Sequence, residues 1–226
     1  MQIFLPAPAS IPACGNASSL EGVSEKIVWI DCEMTGLSIK DDALIEVAVL
    51  VTDGELNVLD DEGIDLVIKT PQEKLDSMND FVHEMHVKSG LLEDLKTATL
   101  SMAEAEQKAL AYIKQFVPSS GKAQLGGNSV GNDRNFLARD MPELEGYLHY
   151  RNIDVSTIKE LAKRWFPKAY YQSPVKNGNH RALADIQESI EELRYYRDAV
   201  FVDGNGPDSE TAREIAAKHQ GEITGL

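Results

Sequence analysis

Asp31 closes the run KIVWID, residues 26–31, and Glu33 stands two residues beyond it. The run is rich in β-branched residues and reads as a buried strand. Side chains with period two share one face of a strand, so both carboxylates can point at one spot where the strand leaves the sheet. Carboxylate oxygens held together in this way are hard ligands, suited to Mg²⁺ or Mn²⁺. Acids are also common on surfaces, and taken alone the pair describes two solvated side chains at least as well as it describes a metal site.

Three segments change that balance. DCEMTGL at 31–37 contains the acid pair, GNSVGNDRNFL at 127–137 places Asp133 at the opening of a helix, and HRALADI at 180–186 sets His180 five residues before Asp185. Together and in this order they resemble the three motifs of the DEDD exonucleases, in the subclass that carries a histidine base. Within that group the sequence is similar to the oligoribonuclease family, through YLHYRNIDVSTIKELAKRW at 147–165 and NGNHRALADI at 177–186. The resemblance spans residues 26–202.

The resemblance implies a 3′→5′ exoribonuclease that degrades very short RNA to nucleoside 5′-monophosphates with two divalent cations, Mg²⁺ or Mn²⁺. Asp31 would bridge the ions, Glu33 and Asp185 would complete the ion that carries the attacking water, and Asp133 would serve the second. His180 would be the general base, a role that suits an imidazole whose ordinary pKa is about 6.5. On the substrate side, Leu37 would wedge between bases and Phe81 would stack on one, although by composition both are ordinary core candidates. His86 would touch phosphate. Some of Ser129, Arg151, Ser156 and Thr157 would grip the far phosphate of a dinucleotide, partly across a homodimer interface. Ser156 or Thr157 also has a plain structural reading, as the cap of the helix that follows. Cys32, between two acids, reads as a small buried residue.

The elements that must hold these residues can be traced along the chain. Strand signal at 26–31, 43–52 and 64–69 predicts an antiparallel meander, with Asp53-Gly54 as a tight turn. Two short helices are expected within 76–90. A longer helix begins at Ser101, whose pairing with Glu104 forms a capping box, and Pro118 ends it. A strand at 123–128, a helix from Asp133, a strand at 151–155 and a helix at 156–165 follow. A polar loop at 172–179 precedes a long helix at 181–199, and a weak helix is expected near 211–218. Strands first, then alternating helices and strands, predict an α/β sandwich with a mixed five-stranded sheet flanked by helices. By resemblance this is the ribonuclease-H-like fold.

Residues 25–202 read as one domain, preceded by a disordered leader at 1–24 and followed by an extension at 203–226. The leader lacks the positive start of a secretory signal, and Pro6, Pro8 and Pro12 break its apolar run. No segment is apolar over the length needed to span a bilayer. Cys14 and Cys32 are too few for a disulfide framework, which points to a reducing, cytoplasmic location. The 22 basic against 37 acidic residues give a net charge of −15. That charge argues against long nucleic acid, whose affinity comes from Lys and Arg on phosphates. It leaves room for a few nucleotides at a site where metal ions supply the positive charge. A DNA proofreading exonuclease of the same subclass shares all five catalytic positions, and a catalytically inactive scaffold would share the fold, so both alternatives stay open at this level.

Overall fold

The structure, a computed structural model, describes residues 26–175, 181–202, 204 and 206–219. The expected leader at 1–24, and Cys14 within it, lie outside the described residues, as does His180. The apolar runs form a single mixed sheet. β1 (Ile27–Met34) pairs antiparallel with β2 (Leu44–Thr52), which pairs antiparallel with β3 (Ile64–Val67). On the other side β1 runs parallel to β4 (Gln124–Gly127), and β4 parallel to β5 (Asn152–Asp154). The order β3-β2-β1-β4-β5 puts β1 at the centre. Every residue of β2 is buried, as expected of a strand covered on both faces.

Ten helices are described: α1 (Gln72–Asp76), α2 (Asp80–Ser89), α3 (Leu91–Thr97), α4 (Met102–Phe116), α5 (Gly131–Asp140), α6 (Pro142–Tyr147), α7 (Val155–Trp165), α8 (Pro167–Tyr171), α9 (Ala182–Val200) and α10 (Ser209–His219). The alternation of β1 sorts its side chains between two cores. Val28, Ile30 and Cys32 join the core made with α4, α5 and α6. Ile27 and Trp29 join the core made with Val155 of α7 and Ala182, Ile186 and Ile190 of α9. Asp31 and Glu33 continue the second register, so the strand aims its two acids at the α9 side of the sheet. Ala48 and Leu50 of β2 face the same core, and Glu46 shares their parity.

Several local expectations are corrected. The turn after β2 is not a two-residue turn at Asp53-Gly54. It spans residues 53–57, with the Asp53 carboxylate accepting the amides of Glu55 and Asn57, and the left-handed position falls on Leu56 (φ 68°). The segment 76–90 holds one full helix, α2, flanked by α1 and α3. The cap of α7 is neither Ser156 nor Thr157 but Asp154, whose side chain accepts the Ser156 amide. α6 has no local capping side chain. Its start is satisfied from α4, where the buried Glu106 accepts the amides of Glu143 (2.7 Å) and Leu144 (3.1 Å). The capping box at Ser101 and Glu104 is present as expected.

Trp29 fills the centre of the α9-side core, fully buried, with its indole N–H donated to Thr52 Oγ1 at 3.0 Å. The neighbouring strand makes room for it with Gly126, where a Cβ would stand 2.8 Å from Ile27 Cγ2 and 3.1 Å from the Trp29 ring. Gly126→Ala is expected to destabilise the protein by about 1–3 kcal/mol, the usual range for overpacking a filled core. Urea unfolding checks this; an unchanged midpoint would mean that the strand has slack the structure does not show.

Candidate active site

The four acids singled out from sequence come from three elements. Asp31 and Glu33 lie near the end of β1, Asp133 is the third residue of α5, and Asp185 lies in the first turn of α9. One ligand oxygen from each of Asp31, Glu33 and Asp185 falls within 4.8 Å of the others. Asp133 is buried and approaches from the opposite helix layer. Its Oδ1 accepts the Cys32 backbone amide at 3.0 Å, which pins it to the strand segment between the two β1 acids. The side chain of Cys32 turns the other way, into the α4–α6 core, and is a buried free thiol.

Burial and crowding raise every one of these acids for which a shift is resolved. Asp31 lies well above the ordinary carboxylate range, first because it is buried and then because Asp133, Glu33 and Asp185 surround it. Glu33 is raised to about 8 by burial and by Glu46, Asp185 and Asp133, with Arg181 opposing. Asp133 is pushed up to about 7 by burial, against hydrogen bonds from its own amide and from Cys32. Carboxylates that repel one another in a buried spot fit a divalent cation, which favours the charged form of all of them. Burial and the same acids push the Cys32 thiol up, which keeps it protonated and unreactive.

The substrate-side candidates divide. Leu37 and Phe81 are not core residues: they are 72% and 76% exposed. The loop that carries Leu37 is nevertheless well braced. Thr35 Oγ1 donates to Asp42 Oδ1 at 3.0 Å, Asp42 Oδ2 accepts the Ser38 amide at 2.8 Å, and Thr35 Oγ1 accepts the Ala43 amide at 2.9 Å. A Cβ at Gly36 would meet the Asp42 carboxyl and push it away from the hydrogen bonds that close the loop. His86, by contrast, is fully buried, its Nε2 3.0 Å from the Met34 carbonyl oxygen and its Nδ1 4.0 Å from Glu33 Oε2. It sits behind the acid pair, where solvent and phosphate do not reach it.

Ser129 and Ser156 are brought together, Oγ to Oγ, at 3.1 Å. Ser129 is one of two non-glycine residues among those described with positive φ (51°), a conformation that is disfavoured for most side chains. Asn128 organises the pair: its Oδ1 accepts the Ser156 hydroxyl at 3.0 Å, and its Nδ2 donates to Ser189 (2.8 Å) and Glu192 (3.2 Å) of α9. Arg151 is not brought to the acids. It precedes β5, level with the start of β1, where it lines a pocket with Ile27, Gly54 and Gln124. Asp31 lies four residues further along β1, about 13 Å at the strand rise. The supporting residues Asp42, Asn128, Glu46 and Arg181 were not singled out from sequence. Asp42 acts within its own loop, four to seven residues from its partners, while Asn128, Glu46 and Arg181 act through contacts distant in the chain, which spacing does not encode.

The raised carboxyls set the sign of a pH effect on the metal-free protein. Glu33 and Asp133 have folded-state values of about 8 and 7, above their ordinary 4.5 and 3.8. Their favourable contribution is therefore complete below about pH 4 and is lost as pH rises through 7 to 8. In chelator the thermal midpoint is expected to fall between about pH 5 and pH 8.5, and the rise produced by Mn²⁺ to grow over the same interval. A midpoint in chelator that climbs across this interval would contradict the crowding described above.

The sequence profile of the exonuclease family matches residues 28–193. The oligoribonuclease of Streptomyces coelicolor is 64% identical over 197 residues, 87% of this chain and 98% of the relative. That of Cutibacterium acnes is 60% identical over 199 residues, 88% of this chain and 98% of the relative. Among solved structures, E. coli exonuclease I in complex with a 5cy-dT13 oligonucleotide superposes with a TM-score of 0.59 at 14% identity. The match covers 78% of this chain and spans only 41% of that one, and it shows the shared ribonuclease-H-like exonuclease fold. By profile, identity and fold, the chain belongs to the exonuclease family and, within it, to the oligoribonucleases.

Proposed function

We propose that this enzyme removes nucleoside 5′-monophosphates one at a time from the 3′ end of very short RNA. The observation that carries the reading is the convergence of Asp31, Glu33 and Asp185 within 4.8 Å, with Asp133 beside them. Two divalent cations, Mg²⁺ or Mn²⁺, held by Asp31, Glu33, Asp133 and Asp185 would supply Lewis-acid stabilisation of the attacking and leaving oxygens. Asp31 would be shared between the two cations, Glu33 and Asp185 would help hold one of them, and Asp133 would help hold the other. His180 precedes Asp185 by five residues and takes the role of the base that accepts the proton of the attacking water.

The substrate contacts follow from what each side chain offers. Leu37 is an exposed apolar group on a braced loop, and Phe81 an exposed ring on α2, the helix that also carries His86. A wedge and a stacking platform bind any base, since every base has a π-face, and stacking contributes about 1–3 kcal/mol. Ser129 and Ser156, whose hydroxyls lie 3.1 Å apart, are assigned to the far phosphate of the dinucleotide. His86 supports Glu33 from behind instead of touching phosphate. The position of Arg151 supports a homodimer in which a second copy brings this residue to the far phosphate, since its own acids lie at the other end of the sheet. Of the described residues, no helix is long and apolar enough to cross a membrane. A cytoplasmic location accompanies the assignment to RNA turnover.

The decisive experiment is kcat/KM against RNA length from two to about twenty nucleotides, a span that brackets common single-strand site sizes. Dinucleotides are expected to be the best substrates, because a surface with net charge −15 repels each further phosphate. The salt dependence is expected to be shallow, since each phosphate neutralised on a single strand adds about 0.7 to the log–log slope. Efficiency that rises steadily with length, with a steep salt slope, would replace this reading with that of a general exonuclease. His180→Ala is expected to lower turnover by about 10²–10⁴ while leaving Mn²⁺ binding in place. Loss of Mn²⁺ binding by the folded variant would make His180 a ligand and leave the base unassigned.

A further inference from the structure

Asp31 and Glu33 reach the site from the sheet, Asp185 from α9, and something must fix the distance between strand and helix. Glu46 is placed to do this. It lies directly across the β1–β2 pair from Glu33, on the α9 side of the sheet, and is fully buried. Its Oε2 accepts the amide of Ala182, the first residue of α9, at 3.1 Å. Its Oε1 accepts Arg181 Nε at 2.9 Å and lies 2.8 Å from Arg181 Nη2. Arg181 in turn donates Nη1 to Asp94 of α3 at 2.7 Å and approaches Asp65 of β3 at 3.5 Å. Arg181 occupies the N-cap position in extended conformation with no side-chain cap of its own. The helix is therefore capped from the strand that carries no ligand.

Asp185 follows Ala182 by three residues, less than one turn along a rigid helix. A shift or rotation at Ala182 is passed directly to the Asp185 carboxylate, and the spacing of a ligand set tolerates only a few tenths of an ångström. The three acids repel one another, so an untied α9 would move in the direction that opens the set. We propose that Glu46 and Arg181 are a positioning pair, which holds Asp185 against Asp31 and Glu33 at the spacing a divalent ion requires. This rests on the assignment of those three carboxylates as ligands.

The test separates geometry from charge. If the pair acted only through its charges, Glu46→Gln would weaken Mn²⁺ binding by removing a negative charge, and Arg181→Met would strengthen it by removing a positive one. Positioning predicts that both weaken it. It predicts the same for Arg181→Lys, which keeps the charge but loses the two-pronged guanidinium geometry. The expected loss for each variant is about 10–100-fold in Mn²⁺ affinity by titration calorimetry, the usual span for residues that orient ligands. A kcat reduced at fixed Mn²⁺, partly restored by raising Mn²⁺, and a KM for dinucleotide changed less than twofold should accompany it. Should Arg181→Met not fold, Arg181→Lys carries the comparison. Tighter Mn²⁺ binding by Arg181→Met, or Mn²⁺ affinity and kcat unchanged in Arg181→Lys with only a lower melting temperature, overturns the proposal. Asp31→Asn in parallel tests the ligand assignment by itself: unchanged Mn²⁺ affinity there would overturn the metal reading and the positioning role with it.

Discussion

Like charges repel more strongly where water is scarce, and this protein gathers Asp31, Glu33, Asp133 and Asp185 in a largely desolvated place, with Glu33 and Asp133 buried and Asp31 and Asp185 half-buried. The arrangement is unfavourable until protons or cations enter it, and it persists because each acid is mounted on an element that cannot easily yield. β1 lies at the centre of the sheet with partners on both sides. α5 is tied to it through the Asp133–Cys32 hydrogen bond, and α9 is capped by Glu46 from β2. Much of the fold can be understood as the means of holding those groups at distances they would not choose.

The alternation of the central strand divides the labour. One set of β1 side chains anchors the α4–α6 layer, and the other builds the floor under α9 before ending in the two acids. The Trp29 indole, seated over Gly126, fills that floor in the core it shares with Ala182, Ile186 and Ile190 of α9. His86 closes the rear of the acid pair, where its ring meets the Met34 carbonyl and stands beside Glu33. The groups proposed to face substrate are held on equally firm supports. Leu37 is exposed yet rides on a loop closed by Thr35, Asp42 and Ser38, and the Ser129–Ser156 pair is joined through Asn128 to Ser189 on the helix of Asp185. Rigid placement of this kind suits a site whose chemistry depends on distances between ligand atoms.

Periodicity was enough to derive the five strands, the antiparallel meander and the long helices, because each of these is written in residues close together in the chain, whereas the four acids were singled out by the resemblance of three short motifs to the DEDD exonucleases. Alternation along 27–33 assigns Asp31 and Glu33 to one face whatever packs above them. The capping box at Ser101 is equally local. Tertiary structure decided what depends on contacts far apart in sequence. α6 starts where it does because Glu106, thirty-seven residues earlier, accepts its first amide. α7 is capped by Asp154, one residue before the helix, which leaves Ser156 for Ser129 and Asn128. Leu37 and Phe81 have the composition of core residues and stand in solvent, and His86, assigned to phosphate by resemblance, is buried beneath the acids. Glu46 carries no motif at all; only the pairing of β2 with β1 and the docking of α9 turn it into a cap. Local sequence sets the type and facing of an element through backbone sterics and side-chain period. Which buried polar group meets which partner is settled only when the layers close and every donor left in the dry interior must find an acceptor.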